Sequence, residues 1–442
     1  MELIFIAGGV FLVLLLLLAQ SLSKGVGTVG GALKQVGLFV LQKNPPGLVD
    51  IFDDRDGSGS RTWMNFGMLW LVFATLLGFL LGWHTYDPTA LDSLASVGWS
   101  YDDGSSLREA TLNFLTIALL YGLVGSGMVA TARNGNGRLA SEANASMVAL
   151  LLTAVLLATY LLPFIFGFLD VDTSENPVRT ILYSLETLAV GLLLVPVFIN
   201  LLITAANRGD QELQTSVWFL LMGIAAYIIS MLYMFFGELA GATQMVWFAE
   251  RVAHGWVPLA LMFSVGYHVV PMVAKQPIWS GSLRGASMFL LFITIPPFFM
   301  TDASASNFVT NLGAILLTLG VLPIFAASIN LLMTASSGLS SVVKEPGAIA
   351  ATMAFLALPF FAIGGYFTAM DTFVGTGELG TMADIVDMNM LFTVGGLLVL
   401  ARGVHQLPQR HWEAACNPVH RHLGHLDGAH RRCNLDPHVP HR

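Results

Sequence analysis

Residues 250–300 read ERVAHGWVPLALMFSVGYHVVPMVAKQPIWSGSLRGASMFLLFITIPPFFM, which is two apolar segments separated by a short basic loop. His254 lies near the start of the first segment and His268 lies near its end. The one other histidine in the long apolar part of the chain is His84. Imidazole is the commonest metal ligand in proteins, so any metal chemistry of this chain is expected to involve His254.

The composition assigns the chain to a membrane. Of its 442 residues, 55% are hydrophobic and only 11% are charged, which is too little polar surface for a soluble globule of this length. Apolar runs of the length that a membrane-spanning helix needs recur along the sequence. The sequence lacks the alternating strand pattern of a barrel, so helices must satisfy the backbone hydrogen bonds. The predicted fold class is all-α, a polytopic bundle of about 11 transmembrane helices.

The apolar runs divide the chain into four parts. An N-terminal transmembrane helix is predicted over residues 1–20, which lack the basic front and the cleavage site of a signal peptide. A cytoplasmic connector follows over residues 21–61, and its apolar piece at 36–41 is too short to span. A helical membrane domain is predicted over residues 62–402, followed by a polar tail over 403–442. The spans of the domain are placed at 63–83, 110–130, 147–168, 181–205, 217–236, 245–273, 286–300, 308–333, 348–369 and 385–401.

The tail, residues 403–442, differs sharply from the rest of the chain. It has no apolar run, and it contains both cysteines, Cys416 and Cys433, and most of the 11 histidines. Metal binding is one interpretation of a histidine-rich tract. Its irregular spacing, with Arg and Pro interspersed, favours a disordered tail, and a third interpretation is that the segment is not native coding sequence. Neither cysteine supports a disulfide framework or a CxxC metal site.

Charge alternates between successive connectors of the predicted bundle. Lys and Arg cluster in the first connector and again around 133–138, 208, 275–284 and 344, whereas the loops at 87–103, 170–175, 302 and 371–378 carry acidic residues. By the positive-inside rule, the basic connectors lie in the cytoplasm and the amino terminus lies outside. The lipid bilayer is therefore the first partner expected. A net charge of -8 argues against nucleic acid as a partner.

Three ionisable residues, Glu250, Arg251 and His254, share one helical turn near the outer end of the 245–273 span. Ionisable groups at that depth are costly and usually face protein or water. One interpretation is an interfacial cap, in which Glu250 pairs with Arg251 and His254 is a hydrogen-bonded core residue. The alternative is that His254 ligates a metal. His268 cannot share that metal, because the helix between the two histidines is roughly 21 Å long.

Several other residues are candidates for metal ligands or proton carriers. His84 lies at the end of its span beside Trp83, where an interface anchor is expected. Asp384 and Asp387 are candidates for a proton relay, although helix capping explains them equally well. Methionines in so apolar a chain are more typical of packing than of ligation. Those considered as soft ligands are Met272, Met300, Met388 and Met390.

The segment AHGWVPLALMFSVGYHVVPMVAK, residues 253–275, resembles the sixth core helix of the largest subunit of haem-copper oxidases. The similarity is greatest to the cbb type and its nitric oxide reductase relatives, in which this helix begins with Gly-His. His254 falls on the copper-ligand position. The loop KQPIWSGSLRGASMF, residues 275–289, resembles the segment that follows. The resemblance implies that residues 63–401 form the first ten of the family's twelve core helices, preceded here by one additional helix.

The copper ligands of the family are largely replaced. The family completes its copper site with a Gly-Pro-His-His turn. Counting back from Leu312-Gly313, which resembles the family's Leu-Gly, that turn falls on residues 296–299. Phe298 and Phe299 therefore stand at the positions of the two histidines, and phenylalanine cannot ligate copper. His254 is the one copper-ligand position that keeps its histidine.

The haem ligands are replaced as well. The tenth core helix of the family carries His-x-His, and counting back from Gly396 places those positions on Val386 and Met388. The remaining haem histidine, in the second core helix, falls close to Asn113, where Thr111 or a neighbour stands. Met388 alone could supply a soft axial ligand. The resemblance thus implies haem and copper as cofactors, but most of their ligands are absent.

Three functions follow as hypotheses. The first is an integral protein of a prokaryotic plasma membrane that has lost redox centres and serves as a partner or structural subunit, alongside other membrane subunits, in a respiratory complex. The second is a working terminal oxidase or nitric oxide reductase with unusual ligation through His254 and Met388. The third is a bundle that conducts protons or a solute through the ionisable groups of the 250–254 and 384–387 segments. One fold hosts many functions, so the resemblance bears on the fold more directly than on the activity.

Overall fold

The computed structural model describes residues 3–23, 31–43, 48–92, 104–135, 137–168, 177–208, 212–298, 307–374, 394–396 and 398. In these ranges all regular structure is helical. The helices are α1 (Leu3–Ser23), α2 (Gly31–Lys43), α3 (Ser58–Tyr86), α4 (Gly104–Asn134), α5 (Glu142–Phe168), α6 (Pro177–Ala206), α7 (Thr215–Leu239), α8 (Thr243–Ala274), α9 (Gly281–Phe298), α10 (Asn307–Ser337), α11 (Leu339–Val342) and α12 (Pro346–Val374). A short 3-10 turn, Val49–Ile51, precedes α3.

The predicted all-α membrane bundle is confirmed. Each span predicted from residue 1 to residue 369 coincides with one long helix. Within the described ranges, 7 helices are long and apolar enough to cross a membrane, and α1 and α12 contain shorter apolar stretches. The apolar piece at 36–41 lies in α2, a helix of 13 residues. Of the last predicted span, 385–401, only residues 394–396 and 398 are described.

The basic connectors meet at one end of the bundle, here termed the basic end. Lys34 of α2 donates a hydrogen bond to Asn207, just after α6, at 2.7 Å. Arg138, between α4 and α5, pairs with Asp54 of the first connector at 2.7 Å. The Arg133 guanidinium contacts the sulfur of Met272, at the end of α8. Successive helices of the bundle run in opposite directions, so every second connector lies at the same end. The basic connectors, which alternate with the acidic ones, therefore share one end.

Two carboxylates tie the starts of α3 and α5 together at the basic end. Asp54 accepts hydrogen bonds from the backbone N–H groups of Glu142 and Ala143 at 3.0 and 3.2 Å. Glu142 accepts hydrogen bonds from the N–H groups of Gly57 and Gly59, both at 3.0 Å. The first N–H groups of a helix have no partner within the helix, so each carboxylate caps the helix that follows the other. This arrangement is termed the Asp54–Glu142 clasp.

The two carboxylates of the clasp differ in burial and in the groups that neutralise them. Glu142 is fully buried, and the N–H donors around it replace its lost hydration. Asp54 is partly exposed and accepts a hydrogen bond from the Arg138 guanidinium. Partial burial acts to raise the pKa of Asp54, but the hydrogen bonds from the Ala143 N–H and from Arg138 outweigh it, so the pKa lies below its ordinary value. The hydrogen bond to Asp54 raises the pKa of Arg138 in turn.

The central helix of the bundle is α8. Its residues from Val257 to Val270 are buried without interruption, as expected of a helix that is apolar on every side. It packs against α4, α7, α10 and α12. Gly266 permits the contact with α12, because a methyl group at this position would overlap the ring of Phe355. Small residues at such contacts let helices in a membrane approach closely.

Removing the Asp54 carboxylate is expected to destabilise the protein in a pH-dependent way. At pH 7, Asp54→Ala should lower the free energy of unfolding by about 0.5–2 kcal/mol, the usual cost of a lost helix cap. The folded pKa of Asp54 lies below its ordinary 3.8, so this contribution is complete above that pH and is lost as the pH falls through the folded pKa. Thermal unfolding in detergent, measured at pH 7 and at pH 3, tests both statements.

Asp53→Ala is the matched control for the clasp. Asp53 lies next to Asp54 and is similarly exposed, but within the described residues its side chain interacts with Arg55 alone, from whose N–H it accepts a hydrogen bond. Its removal should change the unfolding temperature little. Equal losses in the two variants would contradict a capping role for Asp54.

A methyl group at Gly266 is expected to disturb the α8–α12 contact. Gly266→Ala should lower the free energy of unfolding by about 1–3 kcal/mol, because the buried Phe355 ring must move. Gly82→Ala, in α3, is the control, since a Cβ at Gly82 meets nothing within 4 Å. Thermal unfolding of both variants in one detergent measures the difference. A Gly266→Ala protein as stable as Gly82→Ala would refute the close packing.

Candidate functional site

His254 lies in a π-helical segment of α8, Val252–Trp256. Such segments are rare single-turn bulges that occur frequently at functional sites. Pro258 favours the bulge, because it has no N–H to donate to the His254 carbonyl four residues earlier. Ala253 and Trp256 are buried, whereas the His254 side chain is exposed on the surface of the described part of the chain. The interpretation of His254 as a core residue is therefore wrong.

The predicted ionisable cluster is only partly described. Glu250 is exposed, as is His254, and both lie on α8 at the level of the bulge. The side chain of Arg251 lies outside the described residues, and so the predicted pairing of Glu250 with Arg251 stays a prediction. What the structure places together is a carboxylate and an imidazole on one exposed stretch of helix, about one turn apart.

The buried side of the bulge is packed with aromatic rings. Phe11 of α1 lies edge-on to Phe248 and Trp256, with ring centroids 5.6 and 6.4 Å apart. Trp256 also contacts Phe292 of α9, at 6.2 Å. The additional N-terminal helix is thus part of the bundle, and it covers α8 beside His254. Aromatic carbon offers no lone pair to a metal, so these rings fill the space without supplying ligands.

The predicted copper position is not part of a cluster of metal-binding side chains among the described residues. In these ranges, no group of three or more His, Cys, Asp or Glu side chains could hold a metal ion. The backbone of α9 ends at Phe298, but the Phe298 side chain and the whole of Phe299 lie outside the described residues. A copper site needs several nitrogen or sulfur ligands in fixed geometry. The described side chains around His254 therefore do not form a copper site.

At the predicted haem position on α4, Thr111 or a neighbour stands in place of a haem-ligating histidine. The Thr111 hydroxyl donates a hydrogen bond to the Leu107 carbonyl of its own helix at 2.8 Å, so the hydroxyl is occupied within α4. Further along α4, Leu119 lies so close to Gly395 that a methyl group on Gly395 would overlap it. Leu119 of α4 and Gly395 of the last predicted span are therefore in direct contact.

Other predicted site residues lie outside the described part of the chain. These are Asp384, Val386, Asp387 and Met388, together with the whole tail, residues 403–442. Their proposed roles as soft ligand, proton relay or metal-binding tract stay predictions.

Two carboxylates within the helices were missed by the sequence reasoning. Glu186 lies in the apolar stretch Ser184–Ala206 of α6, where it is partly buried and lies near Thr159 of α5. Glu238 of α7 accepts a hydrogen bond from the Ser184 hydroxyl at 2.7 Å. An ionisable residue inside a spanning helix is by default a functional candidate. The signal was a single Glu within the apolar run ILYSLETLAVGLLLVP, residues 181–196.

The comparisons with known proteins add no relative. No protein-family model matches the chain, and no curated protein matches it. The resemblance to haem-copper oxidases therefore depends on the residue motifs quoted above, chiefly residues 253–275, and on the order of the helices.

Proposed function

We propose that the protein is a non-catalytic partner or structural subunit of a respiratory membrane complex, with an architecture that resembles the largest oxidase subunit. The observation that carries the proposal is the state of His254. It occupies the family's copper-ligand position on α8, yet it is exposed, and no metal-binding group of side chains surrounds it in the described ranges. A protein holds haem or copper through ligating side chains in fixed positions.

The exposed ionisable groups on α8 support a partner subunit. Glu250 and His254 are exposed on a helix whose other faces are packed against the bundle. Ionisable side chains within a spanning helix usually face protein or water, because contact with lipid is costly. In this proposal a neighbouring subunit covers the exposed stretch.

The orientation in the membrane belongs to the same proposal. Lys34, Arg138 and other basic residues of alternate connectors lie at one end of the bundle. The positive-inside rule assigns that end to the cytoplasm and the amino terminus to the outside of a prokaryotic plasma membrane.

The purified protein is expected to contain no stoichiometric haem or copper. Its reduced-minus-oxidised optical spectrum should lack haem bands, and elemental analysis should find far less than one iron or copper per chain, because the ligand positions carry phenylalanine and valine. Mild detergent should recover the chain with other membrane proteins in a fixed ratio. Stoichiometric haem iron, or a chain recovered alone, would overturn the proposal.

The oxidase hypothesis predicts instead that the purified protein consumes oxygen or nitric oxide. If the protein were a working oxidase or nitric oxide reductase with ligation through His254 and Met388, His254→Ala would abolish the consumption of oxygen or nitric oxide. In the structural-subunit proposal, His254→Ala leaves the metal content unchanged at its low value and weakens only the association with the neighbouring subunit.

A second candidate function is proton conduction, and Glu186 favours it. Glu186 and Glu238 are near enough to interact electrostatically between α6 and α7. The Ser184 hydroxyl donates a hydrogen bond to Glu238, and Thr159 of α5 lies near Glu186. Carboxylates that hydrogen-bond with hydroxyl groups inside a helical bundle are typical of proton relays. The route in this candidate passes through α5, α6 and α7, and not through the Glu250–His254 stretch.

Proton flux into liposomes tests this candidate. If protons pass through Glu186, Glu186→Gln should reduce the flux at least about tenfold, since an amide cannot take up and release a proton at neutral pH. Glu345→Gln is the control, because Glu345 lies in the connector between α11 and α12, outside the apolar helices. Equal flux in the wild-type and Glu186→Gln proteins would exclude the route.

A further inference from the structure

A small cavity lies at the junction of α3, α4, α5, α6, α7 and α8. Its volume is about 60 Å³. The side chains around it are aliphatic, apart from Trp63 and the two tyrosines Tyr121 and Tyr227. Val257, which follows the π-helical segment directly, forms part of the α8 wall. The cavity is thus an apolar space bounded by the first six long helices that follow α2.

Nearly all polar side-chain atoms of the lining residues are hydrogen-bonded within the protein. The Trp63 indole N–H donates a hydrogen bond to the Ala145 carbonyl at 2.9 Å. The Tyr121 hydroxyl is hydrogen-bonded to the Thr153 hydroxyl at 2.9 Å and donates to the Ala149 carbonyl at 3.3 Å. The Tyr227 hydroxyl has no such hydrogen bond within the described residues. One free hydroxyl is therefore the single polar group that an occupant would meet.

A cavity with aliphatic walls and one unbonded hydroxyl is an unfavourable site for a water molecule. A buried water usually makes about three hydrogen bonds, and apolar cavities that cannot provide them stay dry and bind apolar molecules such as xenon. Glu186 lies one turn from Val190 on α6 but is not part of the lining. Among the described lining residues, a water in the cavity would therefore meet one hydroxyl without a hydrogen bond, that of Tyr227.

The volume limits the occupant to a small molecule. A single water needs roughly 10–15 Å³ by the same measure, so the cavity has room for an occupant several times larger. Sites for cofactors and drug-sized ligands are usually about 300–1,000 Å³, which excludes a haem or a quinone ring system from this space. Ile117 and Leu156 of the lining are partly exposed, so the cavity lies near the surface of the bundle, where apolar molecules dissolved in lipid arrive.

We propose that this cavity binds one small, uncharged apolar molecule, of about the size of a xenon atom, which enters from the lipid. The site is independent of His254 and of the proposed role as a partner subunit. It needs only the aliphatic walls from α4, α6 and α8 and the absence of further polar partners at Tyr227.

Crystals of the full chain pressurised with xenon test the proposal. Anomalous density is expected at one position between Tyr227 and Val190. Val190→Leu adds a methylene group to the wall and should lower the xenon occupancy about twofold or more. Val72→Leu is the matched control, because Val72 is 51% exposed on the outer side of α3 and its replacement should leave the occupancy unchanged.

The Tyr227→Phe variant distinguishes a dry cavity from a hydrated one. It also provides a second test if the Val190→Leu protein does not fold. The variant removes the free hydroxyl and leaves the space, so xenon occupancy should be retained or increased. An ordered water bonded to Tyr227 with no xenon density in wild-type crystals would overturn the proposal. So would a xenon signal that Val190→Leu leaves unchanged or that Tyr227→Phe abolishes.

Discussion

Backbone hydrogen bonding without help from water is the constraint on which the whole structure depends. Within an apolar bundle an unpaired N–H or C=O costs several kcal/mol, so the chain forms long helices and deviates from them only where another group compensates. At the starts of α3 and α5, Asp54 and Glu142 supply the missing acceptors. At Pro258, which cannot donate a hydrogen bond, α8 widens into a π-helical segment.

The two sides of that π-helical segment have opposite character. Toward the bundle, Trp256 joins Phe11 and Phe292 in an aromatic cluster that binds α1 and α9 to α8. Away from it, His254 is exposed. The same bulge would suit a metal ligand if partner ligands stood nearby, but the helix is stabilised here by ring packing. The proposed role as a structural subunit is based on this contrast.

The helices were predictable because their signal is local. An apolar run of sufficient length specifies a spanning helix from its own residues, and the alternation of basic connectors follows from helices that reverse direction. The clasp was not predictable, since Gly57 and Glu142 are 85 positions apart in sequence and neither belongs to a recognisable capping motif with the other. Glu186 was detectable as a lone acid in an apolar run, but its neighbours Thr159 and Glu238 lie on other helices.

The sequence by itself determined that this is an all-α membrane protein, where its long apolar helices lie, and that Phe298, Phe299 and Val386 carry side chains that cannot ligate metals. These conclusions depend on composition and on residue chemistry, which do not change with folding. Only the tertiary structure decided that His254 is exposed, that Asp54 and Glu142 cap each other's helices, and that a small cavity remains beside Tyr227. Such features depend on which faces of distant helices meet, and an apolar run carries little information about its partner, because many apolar faces pack equally well.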